Sequence, residues 1–194
     1  MPLFVLLGAI VLAALYVMGI FNSLQRLKTQ IAAAIQEIGN QLKRQASLIP
    51  NLEASVKGYL THEKDIFKLL TAARTSSAQA AQSGSAKDID AAISNIQAML
   101  PKIAVVLEDN PEIQANATVM KFMSELSDTA DKLMYARRTV IDLTQSYNEK
   151  LLVFPSNIIA GLFGFTKEVG LQLPESGSHL SVSEEEMKDV SVKL

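Results

Sequence analysis

From Leu3 to Phe21 every side chain is apolar, aromatic or absent, and the first charged residue of the chain is Arg26. A helix rises about 1.5 Å per residue, so roughly 20 such residues match a bilayer core of about 30 Å. The run predicts a transmembrane helix over residues 1–22. A cleaved secretory signal is the competing reading. Such signals open with a basic segment and have an apolar core of about 7–15 residues. Here nothing basic precedes Leu3 and the run is longer, so retention as an anchor is the expectation. The nearest basic side chains, Arg26 and Lys28, follow the span, which places the bulk of the chain in the cytoplasm by the positive-inside rule.

Past the span, Leu24, Leu27, Ile31, Ile35, Ile38 and Leu42 recur at steps of three and four, one stripe of a long helix leaving the membrane. The stripe continues through Ile49, Leu52, Val56, Tyr59, Leu60, Ile66 and Leu69. Pro50, which lacks a backbone donor, predicts a kink within it. Between Thr71 and Lys87 the composition turns to Ala, Ser, Gln and Gly, an interhelical linker whose Ala-rich half suits a helix. A second helix begins near Ser85, with Asp88 and Asp90 in its first turn, and is kinked or interrupted at Pro101; Glu108 to Pro111 reads as a turn.

The third helix has the strictest period. Val119, Leu126, Leu133, Val140 and Tyr147 are spaced by seven, a heptad seam that serves either bundle packing or a self-associating coiled coil. Phe154 to Asn157 closes it, with Ser156 and Asn157 as capping groups for the short apolar segment Ile158 to Phe165. Eight residues are too few to span a bilayer. Ile158, Ile159, Leu162, Phe163 and Phe165 therefore either cover the open end of the bundle or form a patch for subunit or membrane contact. The fold expected is all-α: the anchor, an antiparallel bundle of about four helices over 23–168 with long first and third helices, and a flexible acidic tail over 169–194. That tail carries five acidic and two basic residues.

Charge divides along the chain. Residues 26–74 hold eight basic and four acidic side chains, and residues 87–131 hold three and eight. Neighbouring helices with complementary surfaces account for this. Alternatively the basic residues nearest the span, Arg26 and Lys28 first, meet anionic lipid.

Cysteine is absent, which excludes disulfides and thiolate chemistry. The two histidines, His62 and His179, lie far apart in the chain and offer no ligand set for a transition metal. There is no Gly-rich phosphate loop and no nucleophile with a base beside it. The expectation is a protein that is not an enzyme, takes no cofactor or metal and binds no nucleic acid.

Two blocks of words resemble the LemA family of bacterial membrane proteins. The first is Gln41-Leu42-Lys43-Arg44, Leu48-Ile49-Pro50-Asn51-Leu52 and Val56-Lys57-Gly58-Tyr59, followed by His62-Glu63. The second is Ala136-Arg137-Arg138, Tyr147-Asn148, Phe154-Pro155-Ser156-Asn157 and Ile159 to Phe165, with Ala72-Ala73-Arg74 between the blocks. The sequence departs from the family pattern at Gln45, at Thr139 to Ile141 and at Asn110-Pro111. The resemblance implies an N-terminal anchor, a helical bundle and no established enzymatic activity, with some relatives implicated in membrane remodelling or organelle biogenesis.

Polar residues within those words, Asn51, Tyr59, Arg137, Tyr147 and Asn148, are expected to form a network across the first and third helices that fixes their register, or else an external ligand site. The functional expectation is a self-associating scaffold at the cytoplasmic membrane, its partners being membrane lipid, further copies of the chain and an unidentified membrane or cytoplasmic protein. The alternative is a sensory or adaptor module that binds a small molecule or a partner protein within the bundle.

Overall fold

The computed structural model describes residues 2–60 and 63–171, and among these it is helical without strands. Six helices follow in order: α1 (Pro2–Val56), α2 (Lys64–Ser83), α3 (Ala86–Glu108), α4 (Pro111–Gln114), α5 (Ala117–Leu152) and α6 (Ser156–Leu162). α1, α2, α3 and α5 form an antiparallel four-helix bundle.

α1 is one helix of 55 residues, about 80 Å long at 1.5 Å per residue. Its first part stands clear of the rest. Eleven large apolar side chains between Leu3 and Met18 are each more than half exposed. From Leu24 onward α1 buries the expected stripe, including Leu24, Ile31, Ile38, Leu42, Ile49 and Leu52. α3 is also long and apolar enough to cross a membrane. Its Ile89, Ile93, Ile96, Met99 and Ile103 lie in the bundle core, however.

The heptad seam of α5 is internal. Val119, Leu126, Leu133, Val140 and Tyr147 are all buried, chiefly against α1. Self-association through that face is thereby replaced by packing within the chain. Gln45, also fully buried, donates from Nε2 to the Leu126 carbonyl at 3.0 Å and to Thr129 Oγ1 at 2.8 Å, which fixes where α1 and α5 meet.

The structure corrects three expected boundaries. α1 passes through Pro50 but stops at Val56, and the chain turns at residues 57–59 before α2 starts at Lys64. The stripe that runs in phase to Leu69 is thus shared by two helices facing the same core. The linker expected over Thr71 to Lys87 is helical through Ser83, because Ala73, Ser77 and Ala80 are buried and alanine favours helix. Only Gly84 and Ser85 connect α2 to α3. Gly84 takes φ +63°, a conformation that glycine adopts without strain, and its N–H bonds the Ala80 carbonyl. Ser85 Oγ caps α3 by accepting from the Asp88 N–H at 3.2 Å.

Pro101 lies inside α3 without interrupting it. Third, the body extends past residue 168: Gly170 lies close against Thr144, and Leu171 is buried in the core. The rest of the expected tail, His62 and His179 lie outside the described residues.

α2 and α3, with 20 and 23 residues, are shorter than α5 with 36. They cover the far part of the α1/α5 pair and leave the part nearest the apolar run to other segments.

Candidate functional site beside the apolar run

The chain reverses at Val153 to Pro155, through a cis Phe154–Pro155 bond, and lays α6 back against α1 and α5. Ser156 does not cap α6 as expected. Its Oγ points back to the end of α5, 2.6 Å from the Lys150 carbonyl and 2.8 Å from that of Val153. Lys150 Nζ donates to Ser23 Oγ of α1. α6 ends at Gly164 (φ +69°), where the Phe165 N–H bonds the Ala160 carbonyl at 2.9 Å and the Gly164 N–H bonds that of Gly161 at 3.3 Å. This is a Schellman closure. It swings the following residues back across the bundle.

That closure places two aromatic rings on the last turn of the expected span. Phe21 meets Phe163 and Phe165 edge-on, with ring centroids 4.9 and 5.5 Å apart. Ala160, Leu24, Ile31 and Tyr147 form a second small core here, separate from the main one. Residues 166–171 then run along α5 as a strap. Tyr147 donates its hydroxyl to the Thr166 carbonyl at 3.0 Å, and burial pushes the pKa of that hydroxyl above its usual value. Asn148 exchanges two hydrogen bonds with the Glu168 backbone, at 2.9 and 3.0 Å. Lys28 reaches Glu168 Oε1 at 3.2 Å from α1.

The five residues of the expected network therefore divide. Tyr147 and Asn148 are together, but their partners are the strap. Asn51 is exposed and donates to the Ser47 carbonyl one turn back. Tyr59 lies at the far end, its hydroxyl 3.4 Å from Asn116 Nδ2. Arg137 pairs with Asp90 of α3 at 3.0 Å. The register explains the split. Gln45 sits level with Leu126, so Asn51 and Asn148 are separated by about 28 residue rises, roughly 40 Å.

The expected apolar segment is two-sided. Ile159 and Ala160 are buried, and Phe165 is partly buried against the second core. Ile158, Leu162 and Phe163 are 62, 77 and 50% exposed. Of the expected basic pair, Lys28 is half exposed in its bridge and Arg26 is exposed. Among the described residues no group of three or more His, Asp or Glu could hold a metal ion.

A separate groove of about 580 Å³ runs along the α1/α5 side, lined by Ala34, Glu37, Asp131, Tyr135, Ala136 and neighbouring residues. Tyr135 stands 75% exposed at its wall. Nothing in the sequence marks this residue, because its polar neighbours and its place off the heptad seam look like any solvated helix face.

An all-α bundle continuous with an N-terminal helix long and apolar enough to cross a membrane defines the class of this protein. The LemA family model matches residues 34–183, most of the chain, and the chain belongs to the LemA family. Comparison with curated proteins returned no match.

Proposed function

We propose that the protein is a non-enzymatic scaffold, held in the cytoplasmic membrane by one pass of α1 with its bundle on the cytoplasmic side, and that copies associate laterally to organise the membrane. Support for the topology comes from Arg26 and Lys28, which follow the apolar run. Protease applied to intact cells should leave the bundle uncut, and to lysed cells should digest it; digestion from outside reverses the topology.

The observation that carries self-association is the exposed Tyr135 beside the α1/α5 groove. Anchoring aligns neighbouring copies and confines them to two dimensions, which raises effective concentration without any new contact. A side face with a protruding tyrosine and an adjoining apolar groove then suffices for modest lateral affinity, since tyrosine is among the residues that dominate interfaces. Electron microscopy of full-length protein extracted in mild detergent tests this. Homogeneous assemblies that Tyr135→Asp converts to single copies support it; single copies of the unaltered protein refute it.

The same groove favours a second reading, a sensory or adaptor module, because its volume suits a small ligand or a partner's side chains. Single copies that carry one co-purifying protein or small molecule in fixed ratio would favour the adaptor.

A further inference from the structure

The body of the protein keeps most of its large apolar side chains inside, with one exception in one place. Of the eleven large apolar residues exposed after residue 22 among those described, six lie between Leu152 and Phe163: Leu152, Val153, Phe154, Ile158, Leu162 and Phe163. The other five are scattered singly over the bundle, as single apolar residues commonly are on protein surfaces, with Tyr135 set apart from them by the groove beside it. The cluster is not ordinary.

Its position is set by contacts to α1. Lys150, Pro155 and Ser156 share one groove with Leu15, Tyr16, Gly19, Ile20 and Ser23. Phe163 rests on Phe21. The α5–α6 corner therefore stands beside the stretch from Leu15 to Ser23, level with the last turns of the apolar run. From Phe21 back to Leu15 is about 9 Å of helix at 1.5 Å per residue. Interfacial elements reach roughly 5–10 Å into the boundary between headgroups and acyl chains, so the corner lies at their depth.

We propose that this corner, Leu152 to Phe163, is a second membrane element: a wedge that enters the leaflet on the body's side and seats its exposed side chains among lipid acyl chains. The inference rests on the reading of α1 as a membrane anchor. Lipid is the occupant because the patch is continuous with the span. Leu15 and Tyr16, at the same level on α1, are themselves more than half exposed. A bilayer that surrounds α1 there meets the corner as well. The two sides of α6 suit such a wedge, since Ile159 and Ala160 hold it to the bundle while Ile158 and Leu162 face away. With two contacts, the bundle has a fixed tilt and height on the membrane, which a single helix crossing would leave free.

The chain contains no tryptophan, so single reporters are available. Full-length Leu12→Trp, Phe154→Trp, Leu162→Trp and Tyr135→Trp variants, with helicity checked, are reconstituted in phosphatidylcholine–phosphatidylglycerol vesicles with and without bromine on the acyl chains. The expected result is that the Leu12, Phe154 and Leu162 variants each lose emission to bromine, whereas the Tyr135 variant loses none. Quenching at Leu12 but not at the corner overturns the inference and leaves the anchor standing. Blue-shifted corner emission without quenching also overturns it, because protein and not lipid then covers the patch. Absence of quenching at Leu12 removes the anchor itself, and the inference falls with it.

Discussion

Phe21, on the last turn of the apolar run of α1, meets Phe163, the residue that follows α6, edge-on with ring centroids 4.9 Å apart. The two positions are far apart in sequence, and their contact ties the end of the expected membrane span to the end of the folded bundle. Edge-on pairs contribute about 0.5–1.5 kcal/mol beyond the area they bury. A double-mutant cycle of Phe21→Ala and Phe163→Ala, followed by urea unfolding in detergent, should return a coupling in that range. A coupling of zero would mean that α6 is not docked on α1.

Gln45 should behave asymmetrically. Gln45→Ala opens space in the α1/α5 contact and removes two hydrogen bonds, with an expected loss of about 2–4 kcal/mol. Gln45→Leu fills the volume, and Thr129 Oγ1 keeps its bond to the Leu126 carbonyl at 2.9 Å. That variant should lie within about 1 kcal/mol of the parent. Equal large losses in both would give the amide an importance beyond packing.

Much of this fold is legible in the sequence. The length of the run from Leu3 to Phe21, the heptad from Val119 to Tyr147 and the start of a helix near Ser85 each rest on local pattern, and each is found where expected. Helix breaks are less legible. The apolar stripe keeps its phase across Val56 to Ile66 because both helices face one core, which hides the turn at Lys57 to Tyr59. Register is not legible at all in one sequence. Nothing local says that Gln45 sits opposite Leu126, so periodicity alone allows Asn51 and Asn148 to be neighbours although they are at opposite ends. The site beside the apolar run is legible as an apolar segment. Its two-sidedness is not, since that depends on the Schellman closure at Gly164.

The strap depends on glycine at position 170 for close approach. A Cβ there would stand 2.8 Å from Thr144 Cγ2, nearer than carbon atoms pack. Gly170→Ala should therefore loosen residues 166–171 and speed hydrogen exchange at the Glu168 amide, which bonds Asn148 Oδ1. Adding Thr144→Ala should recover part of the protection. Unchanged exchange in Gly170→Ala would show that the strap lies elsewhere.

Asp88 ties the α2–α3 turn together by accepting from Ser83 Oγ at 2.6 Å and Gln79 Nε2 at 3.0 Å. These bonds, that to Ser83 foremost, hold its carboxyl below the usual value of 3.8. A depressed pKa contributes stability that is present above the unfolded value and is lost as pH falls through the folded one. Asp88→Asn should therefore be less stable than the parent at about pH 7, and the difference should shrink below about pH 4. Urea unfolding at both values checks it. A gap that widens in acid has the wrong sign for this carboxylate.

The retained anchor is tested most directly by extracting membranes from cells expressing the full chain with alkaline carbonate and measuring the intact mass of what stays behind. The expected result is a membrane-bound polypeptide whose mass includes residues 3–21. A polypeptide released to the supernatant, or one that begins beyond Phe21, contradicts the anchored bundle.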